Sequence, residues 1–344
     1  MLCVVIMAGG IGSRFWPQST PEKPKQFLKL LGNKTMIQMT YERMNKLVPK
    51  DNIFIVTNSR YVDLIKEQLP EINDTNIITE PCSKNTAPCI LLSTLYIKNL
   101  YKEANIVCVS SDSYIGREEK FLKIIKEANA FIEKKKEAIV TLGITPTRPE
   151  TGYGYIKFDK NDTIPNKVIE FVEKPNINVA MEYLDSGEYL WNAGMFIYNS
   201  SSMLDELKRF LPNEYQLLKD LPQRFEKNYL KYLDDNYEKC NKISIDYAVM
   251  EKSSNVYAIP SDIGWDDVGS WKSLERYTKK DNLGNVVKGD AMLIDSHNNV
   301  IYGHGKKIVF VNMDDLFCID SDDAIIIGKK EDLNNVHLLK EEIK

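Results

Sequence analysis

From the start of the chain to about Ile144, short apolar runs alternate with longer amphipathic stretches. Runs such as Ile106-Val107-Cys108-Val109 lack polar alternation, as parallel strands covered on both faces do. The pattern predicts strands over Cys3–Met7, Ile53–Val56, Ile77–Thr79, Ile106–Val109 and Ile139–Leu142. Between them it predicts helices over Met36–Leu47, Val62–Leu69, Ala87–Tyr101 and Glu118–Lys136. Strands and helices in that order make a doubly wound, mostly parallel α/β sheet.

From Tyr153 to Tyr198 the texture changes to alternating strands, as in Gly154-Tyr155-Ile156-Lys157-Phe158 and Val168-Ile169-Glu170-Phe171-Val172. This region is expected to be a mixed or antiparallel layer that lids the sheet. Helical character returns around Met203–Phe210, Tyr215–Leu218 and Ile245–Glu251, followed by a strand over Val256–Ile259. After about Lys280, short β-rich pieces (Ala291–Ile294, Val300–Tyr302, Ile308–Val311, Leu316–Ile319, Ala324–Ile327) are separated by turn signals such as Asn298-Asn299 and Gly303-His304-Gly305. Such pieces suggest stacked coils. The expected division is a catalytic domain over 1–280 and a small β domain over 284–344.

Composition narrows the partners. With 344 residues, 43% hydrophobic and 27% charged, the chain has room for a sizeable core. Its 45 basic and 49 acidic residues leave a formal charge of -4, so no global basic field draws a nucleic acid. Phosphate binding must then be local. The six cysteines are scattered without a C-x-x-C pair, which suggests a reducing compartment. The first residues lack the basic flank of a secretory signal, and no run reaches the ~18 apolar residues of a membrane span. The expectation is a cytoplasmic protein away from membranes.

The first strand runs into Ala8-Gly9-Gly10-Ile11-Gly12-Ser13-Arg14. Glycines at a strand-to-helix turn let backbone N–H groups approach phosphate, and ligands of open α/β sheets sit at the carboxyl ends of the strands. Phe15 stands where the dinucleotide fingerprint needs its third glycine, and no G-x-x-x-x-G-K-[ST] occurs. Instead, Arg14 and Lys25, in Pro24-Lys25-Gln26-Phe27, supply two cations for a triphosphate; the bland alternative is a turn with solvated basic residues. Asp112, in Ser110-Ser111-Asp112-Ser113, puts a carboxylate at the same edge, and Mg²⁺ needs one or two such groups. An Asx-turn or N-cap is its alternative role. Asp266 and Asp267, in Gly264-Trp265-Asp266-Asp267-Val268-Gly269-Ser270-Trp271, offer a second carboxylate or another N-cap.

Three further clusters mix turn residues with polar groups: Thr151-Gly152-Tyr153-Gly154-Tyr155, Phe171-Val172-Glu173-Lys174-Pro175 and Trp191-Asn192-Ala193-Gly194-Met195-Phe196. Glu173 and Asn192 suit sugar hydroxyls and Lys174 a phosphate; taken singly, they also read as strand-end charges and a turn residue. All three histidines (His297, His304, His337) fall in the tail. That disfavours Ser-His-Asp catalysis and histidine-rich zinc sites in the large domain. Phosphoryl-type transfer needs positioning and charge, with no proton-shuttling histidine.

Taken in order, Ala8-Gly9-Gly10-x-Gly12-Ser13-Arg14-Phe15-Trp16-Pro17, Pro24-Lys25-Gln26-Phe27, Glu80-Pro81, Asn85-Thr86-Ala87-Pro88, the three clusters above and Asp267-Val268-Gly269-Ser270-Trp271 resemble the bacterial mannose-1-phosphate guanylyltransferases. The resemblance spans nearly the whole chain. It implies a Rossmann-like nucleotidyltransferase domain, with a mostly parallel central sheet, followed by a short left-handed β-helix. It further implies that Ala8, Gly9, Gly10, Gly12 and Ser13 hold the triphosphate, with Glu80, Asn85, Thr86 and Ala87 on the nucleotide. Arg14 and Lys25 would be catalytic, and Asp112 and Asp267 would bind Mg²⁺. Tyr153, Gly154, Glu173, Lys174, Asn192 and Asp246 would place the sugar phosphate. The implied partners are GTP, mannose 1-phosphate, GDP-mannose and pyrophosphate, with a homodimer as the assembly. The rivals are another base or hexose, and a non-catalytic subunit that binds GDP-mannose. Ser113 and Lys84 stand where histidine and arginine are common in that family.

Overall fold

The computed structural model describes residues 1–10, 12–160 and 163–341, without the side chains of Ser13, Lys340 and Glu341. The chain forms two compact units, Met1–Gly9 with Thr40–Asp266, and Gly10–Met39 with Asp267–Lys344.

The strands of the first unit are β1 (Leu2–Met7), β2 (Ile53–Asn58), β3 (Ile77–Glu80), β4 (Asn105–Ser110), β5 (Tyr114–Ile115), β6 (Ile139–Ile144), β7 (Tyr155–Phe158), β8 (Asn166–Val172), β9 (Tyr189–Asn199), β10 (Val256–Ser261) and β11 (Trp265–Asp266). Nine of them make one sheet in the order β3-β2-β1-β4-β9-β6-β10-β8-β7, while β5 and β11 pair antiparallel on their own. β3, β2, β1 and β4 run parallel, as do β6 and β10. The unbroken apolar runs put them there, since both faces are covered.

The expected lid is not one. β9 lies inside the sheet, antiparallel to both β4 and β6. Nine of its eleven residues are buried, with only Asn192 and Gly194 half-exposed, so it fills an interior slot that a one-sided alternating strand could not. β7 pairs with both β8 and β9, and β8 with β10, so β9-β6-β10-β8-β7 closes into a ring and the sheet is mixed.

The helices of this unit are α1 (Met36–Asn45, of which Thr40 onward belongs here), α2 (Val62–Gln68), α3 (Thr86–Tyr101), α4 (Glu118–Lys134), α5 (Ile177–Ser186), α6 (Ser200–Phe210), α7 (Pro212–Leu218) and α8 (Tyr229–Tyr237). α4 buries Phe121, Ile124, Ile125, Ala128 and Ile132, one stripe at helical spacing. α3 is buried from Ala87 to Ile97 and shares a core with Cys3, Val5, Cys108, Phe196, Leu207 and Val249. Asp246–Met250 is a π-helical turn where an ordinary helix was expected.

The second unit contains α9 (Trp271–Glu275) and strands β12 (Val286–Lys288), β13 (Ala291–Ile294), β14 (Val300–Tyr302), β15 (Ile308–Val311), β16 (Leu316–Asp320) and β17 (Ile325–Lys329). β12, β14 and β16 stack in parallel, β13 and β15 stack in parallel, and β17 closes the stack antiparallel to β16. Ile301, Phe310 and Cys318 fill the interior. Asn285 and Asn299, both buried, form a ladder between coils: Asn299 Nδ2 donates to Asn285 Oδ1 at 3.1 Å and to the Met313 carbonyl at 2.7 Å, and its Oδ1 accepts the Leu316 N–H. All six cysteines are free thiols. Among the described residues, no helix is long and apolar enough to cross a membrane.

Candidate active site

In the first unit, the carboxyl ends of β1 to β4 carry Ala8-Gly9, Glu80 and Asp112. The Ala8 N–H donates to the Val56 carbonyl at 2.8 Å and its carbonyl accepts the Thr57 hydroxyl at 3.1 Å, so the turn leaves β1 in a fixed direction. Glu80, the last residue of β3, is 4% exposed, and its Oε1 accepts the Tyr237 hydroxyl. A Cβ on residue 9 would lie 2.9 Å from Glu80 Oε2, which is why glycine stands there. Burial pushes the Glu80 carboxyl up to about 7, against the Tyr237 hydrogen bond, which pulls it down. It is a buried acid with one oxygen held by a tyrosine and the other beside Gly9.

Next to it, Asn85 caps α3 with φ +70° and ψ −172°, a backbone region that residues other than glycine seldom adopt, and its Oδ1 accepts the Thr86 N–H at 2.8 Å. Thr86 Oγ1 accepts the Ile245 N–H at 2.8 Å and the Ala87 N–H donates to the Ile243 carbonyl at 3.1 Å. The three nucleotide candidates are thus strapped to the segment leading into Asp246. Asp112 is half-buried in the turn after β4. That turn is pinned by the Ser111 N–H to the Met7 carbonyl (3.0 Å), the Thr40 hydroxyl to the Ser111 carbonyl (3.2 Å) and a 2.6 Å contact between the Ser110 and Ser113 hydroxyls. α4 takes Arg117 as its N-cap, so Asp112 does not cap it.

The six sugar-phosphate candidates come together in this same unit. The Gly154 carbonyl accepts the Asn192 N–H at 2.8 Å, and a Cβ at Gly154 would meet Glu173 Oε2 at 2.5 Å. Asn192 Nδ2 donates to Asp246 Oδ1 at 3.0 Å, while its Oδ1 accepts the Gly194 N–H and the Thr141 hydroxyl. Lys174 has φ +49°, donates its N–H to the Tyr153 carbonyl and pairs its Nζ with Glu173 Oε1 at 2.8 Å. Burial first, then the charge of Glu173, push the Asp246 carboxyl up to about 6. Two acids, an amide and a lysine therefore share one wall, the chemistry needed to bind a polyol that carries a phosphate.

In the second unit, Gly12 has φ +55°, and a Cβ there would lie 2.6 Å from Lys25 Cβ and 2.8 Å from its amide nitrogen. The Gly10 carbonyl accepts Gln26 Nε2 at 2.9 Å. Lys25 is 5% exposed and its Nζ donates to the Asp267 carbonyl. Asp267 Oδ1 accepts the Gly269 N–H at 3.2 Å, and a Cβ on Gly269 would meet Asp267 Oδ2 and Arg14 Nη1. Glycine loop, Lys25, Arg14 and Asp267 are thus neighbours. The Ser13 side chain, a proposed triphosphate contact, and Ile11 lie outside the described residues. Ser270, not either aspartate, caps α9. Trp271 packs edge-on against Phe15 and donates its indole N–H to the Trp16 carbonyl, which explains the Phe15-Trp16-Pro17 signature as packing.

Sequence reasoning missed Tyr237 and Arg148. Tyr237 sits in α8, which no periodicity announced. Arg148 lies over the Trp191 ring at 4.9 Å, donates to Tyr153 OH at 3.3 Å and pairs with Glu150 at 3.1 Å and Asp266 at 3.8 Å. Its only signal was a lone arginine just before the Gly152-Tyr153-Gly154 cluster.

Among the described residues, no three His, Cys, Asp or Glu side chains gather as a metal cage. Asp112, in the first unit, and Asp267, in the second, are each a hard carboxylate of the kind Mg²⁺ takes, one or two at a time. The strand-end glycines come without a Walker lysine, a sheltered acid stands beside Gly9, and acids, an amide and a lysine line one wall. Residues 3–283 match the family described as Nucleotidyl transferase, and the chain belongs to that family of enzymes. It is 39% identical to a mannose-1-phosphate guanylyltransferase of Salmonella montevideo, over 100% of this chain and 74% of that protein. It is 36% identical to a mannose-1-phosphate guanylyltransferase of Escherichia coli (strain K12), over 99% of this chain and 73% of that protein. A solved structure described as mannose-1-phosphate geranyltransferase from Thermus thermophilus superposes with a TM-score of 0.88 at 29% identity, covering 99% of each chain.

Proposed function

We propose that this chain transfers GMP from GTP to α-D-mannose 1-phosphate, giving GDP-mannose and pyrophosphate. The observation that carries the reading is the wall of Gly154, Glu173, Lys174, Asn192 and Asp246, where acceptors for hydroxyls stand beside an ammonium for phosphate. The names of the full-length relatives point to the same substrates. In the reaction, a phosphate oxygen of the sugar phosphate attacks the α-phosphorus of GTP, the bond to the β-phosphate breaks and pyrophosphate leaves. The attacking phosphate oxygen is already deprotonated, so no base is required.

Gly9, Gly10, Gly12 and the neighbouring Ala8 and Ser13 would hold the triphosphate, with Arg14 and Lys25 facing its charge. Glu80 would stand beside the base, with its carboxyl held by Tyr237 and next to Gly9. Asn85, Thr86 and Ala87 would line the same base. Asp112 and Asp267 would hold Mg²⁺, which when bound neutralises phosphate charge. The functional division into 1–280 and 284–344 stands as a proposal, with the tail a left-handed β-helix; parallel stacking and the asparagine ladder support a coil. A homodimer through that tail is supported by the half-exposed cross-strand pairs Met292–Val309 and Ile294–Val311. A cytoplasmic location and no role for nucleic acid complete the reading.

The test is pyrophosphate release with each nucleoside triphosphate, Mg²⁺ and either mannose or glucose 1-phosphate. Release is expected with GTP and mannose 1-phosphate. Preference for UTP, dTTP or ATP overturns the base assignment, and binding of GDP-mannose without turnover of any pair overturns the enzyme reading.

A further inference from the structure

We infer that Arg148 is a positioning residue for the acceptor sugar phosphate: its guanidinium grips Tyr153, itself a proposed substrate residue, and Trp191 and Asp266, the residues immediately before the proposed substrate and metal residues Asn192 and Asp267. The contacts come from one side chain. The guanidinium lies 4.9 Å from the Trp191 ring centroid and 5.8 Å from that of Tyr153. Nη2 donates to Tyr153 OH at 3.3 Å and lies 3.8 Å from Asp266 Oδ2, and Nε pairs with Glu150 Oε2 at 3.1 Å. Glu150 Oε1 in turn accepts the Gly152 N–H at 3.3 Å, so the turn leading to Gly154 is braced by the same pair.

Neighbouring residues of a strand point to opposite faces. In β9, fixing Trp191 from one face therefore fixes how Asn192 is presented on the other, where it meets Asp246. Tyr153 works through its backbone, because its carbonyl accepts the N–H of Lys174. Its ring also stands edge-on to Trp191 at 5.3 Å and to Trp265 at 5.1 Å. Asp266 is 2% exposed and has the guanidinium beside it. A planar fork is needed to serve a ring face, a hydroxyl and two carboxylates at once, which the single ammonium of lysine cannot do.

The inference rests on the sugar-phosphate reading of this wall, and the experiment separates the two. KM and kcat for mannose 1-phosphate and for GTP are measured in wild type, Arg148→Met and Arg148→Lys, alongside calorimetric binding of mannose 1-phosphate and thermal melting. Both variants are expected to raise KM and Kd for mannose 1-phosphate on the order of 10- to 100-fold, as misplaced contacts do, with KM for GTP within about twofold. An unchanged KM for mannose 1-phosphate, full rescue by lysine, or equal losses for both substrates overturns the inference. Glu150→Gln, outside the substrate set, removes only the charge paired with Arg148 Nε and keeps the test decisive if the arginine variants fail to fold; it should raise the same KM alone, and no change overturns the inference. A wild type that uses a different hexose 1-phosphate overturns the substrate reading only, and the same comparison with that hexose then decides the role of Arg148.

Discussion

Around Gly12 the candidate chemistry is held by the backbone, and around Asn192 by side chains. The first region depends on a left-handed glycine packed against Lys25, on Val268 at φ +47°, an unusual value for a β-branched residue, and on Gly269 pressed against Asp267 and Arg14. The second is a web of amide, carboxyl and ammonium groups, with Asn192 linking Gly154, Thr141 and Asp246. The first leaves no room for an added atom but has nothing to titrate in its glycines. The second has slack in its side chains, yet it responds to protonation.

The sharpest way to break this comparison is at Asp112 and Asp267. Alanine at either is expected to lower turnover on the order of a thousandfold with the fold intact, because phosphate charge would go uncompensated; near wild-type rates in both refute the metal assignment. Gly12→Ala comes next. The new methyl must displace the Lys25 backbone, and kcat should fall at least about a hundredfold. Steady-state kinetics with an unchanged kcat would show that Lys25 tolerates the shift.

The buried acids of the first unit, Asp246 beside Asn192 and Glu80 beside Gly9, should instead reveal themselves through pH. Burial holds Asp246 at about 6 and Glu80 at about 7, against ordinary values of 3.8 and 4.5. Between those values the folded chain keeps protons that the unfolded chain releases, so stability falls as pH rises through about 4 to 7. Melting temperature against pH should show that slope, Asp246→Asn together with Glu80→Gln should flatten it, and Gly12→Ala should leave it in place. The smallest effect on catalysis is expected in the tail. Asn299→Ala strands the Leu316 N–H and the Met313 carbonyl and should lower the tail's melting by roughly 3 to 8 °C, with kcat/KM unchanged. A matching loss of activity would tie the ladder to catalysis.

The parallel core was legible because its strands, buried on both faces, read as unbroken apolar runs, and α3 and α4 began within a residue of their predicted starts. The place of β9 was not. Its insertion between β4 and β6 is a pairing between segments far apart in the chain, and local alternation carries no such information. α5 was missed although Asn176 caps its start and Gly187 its end in the left-handed conformation, both readable signals. Within the site, the glycines and the Glu173-Lys174 pair announced themselves as motifs. The partners that aim them, Tyr237 and Arg148, sit in segments whose composition is ordinary and whose role exists only once the chain has folded.

One contact also bears on how this chain can change. Glu80 Oε2 occupies the place a side chain at residue 9 would need. The two positions, distant in the chain, therefore share one volume, and the freedom of one is set by the other. In a mutational scan Gly9→Ala should cost activity because Glu80 must shift, and the cost should ease once Glu80 is shortened to aspartate. Position 9 is then free to drift only along paths on which position 80 has moved first.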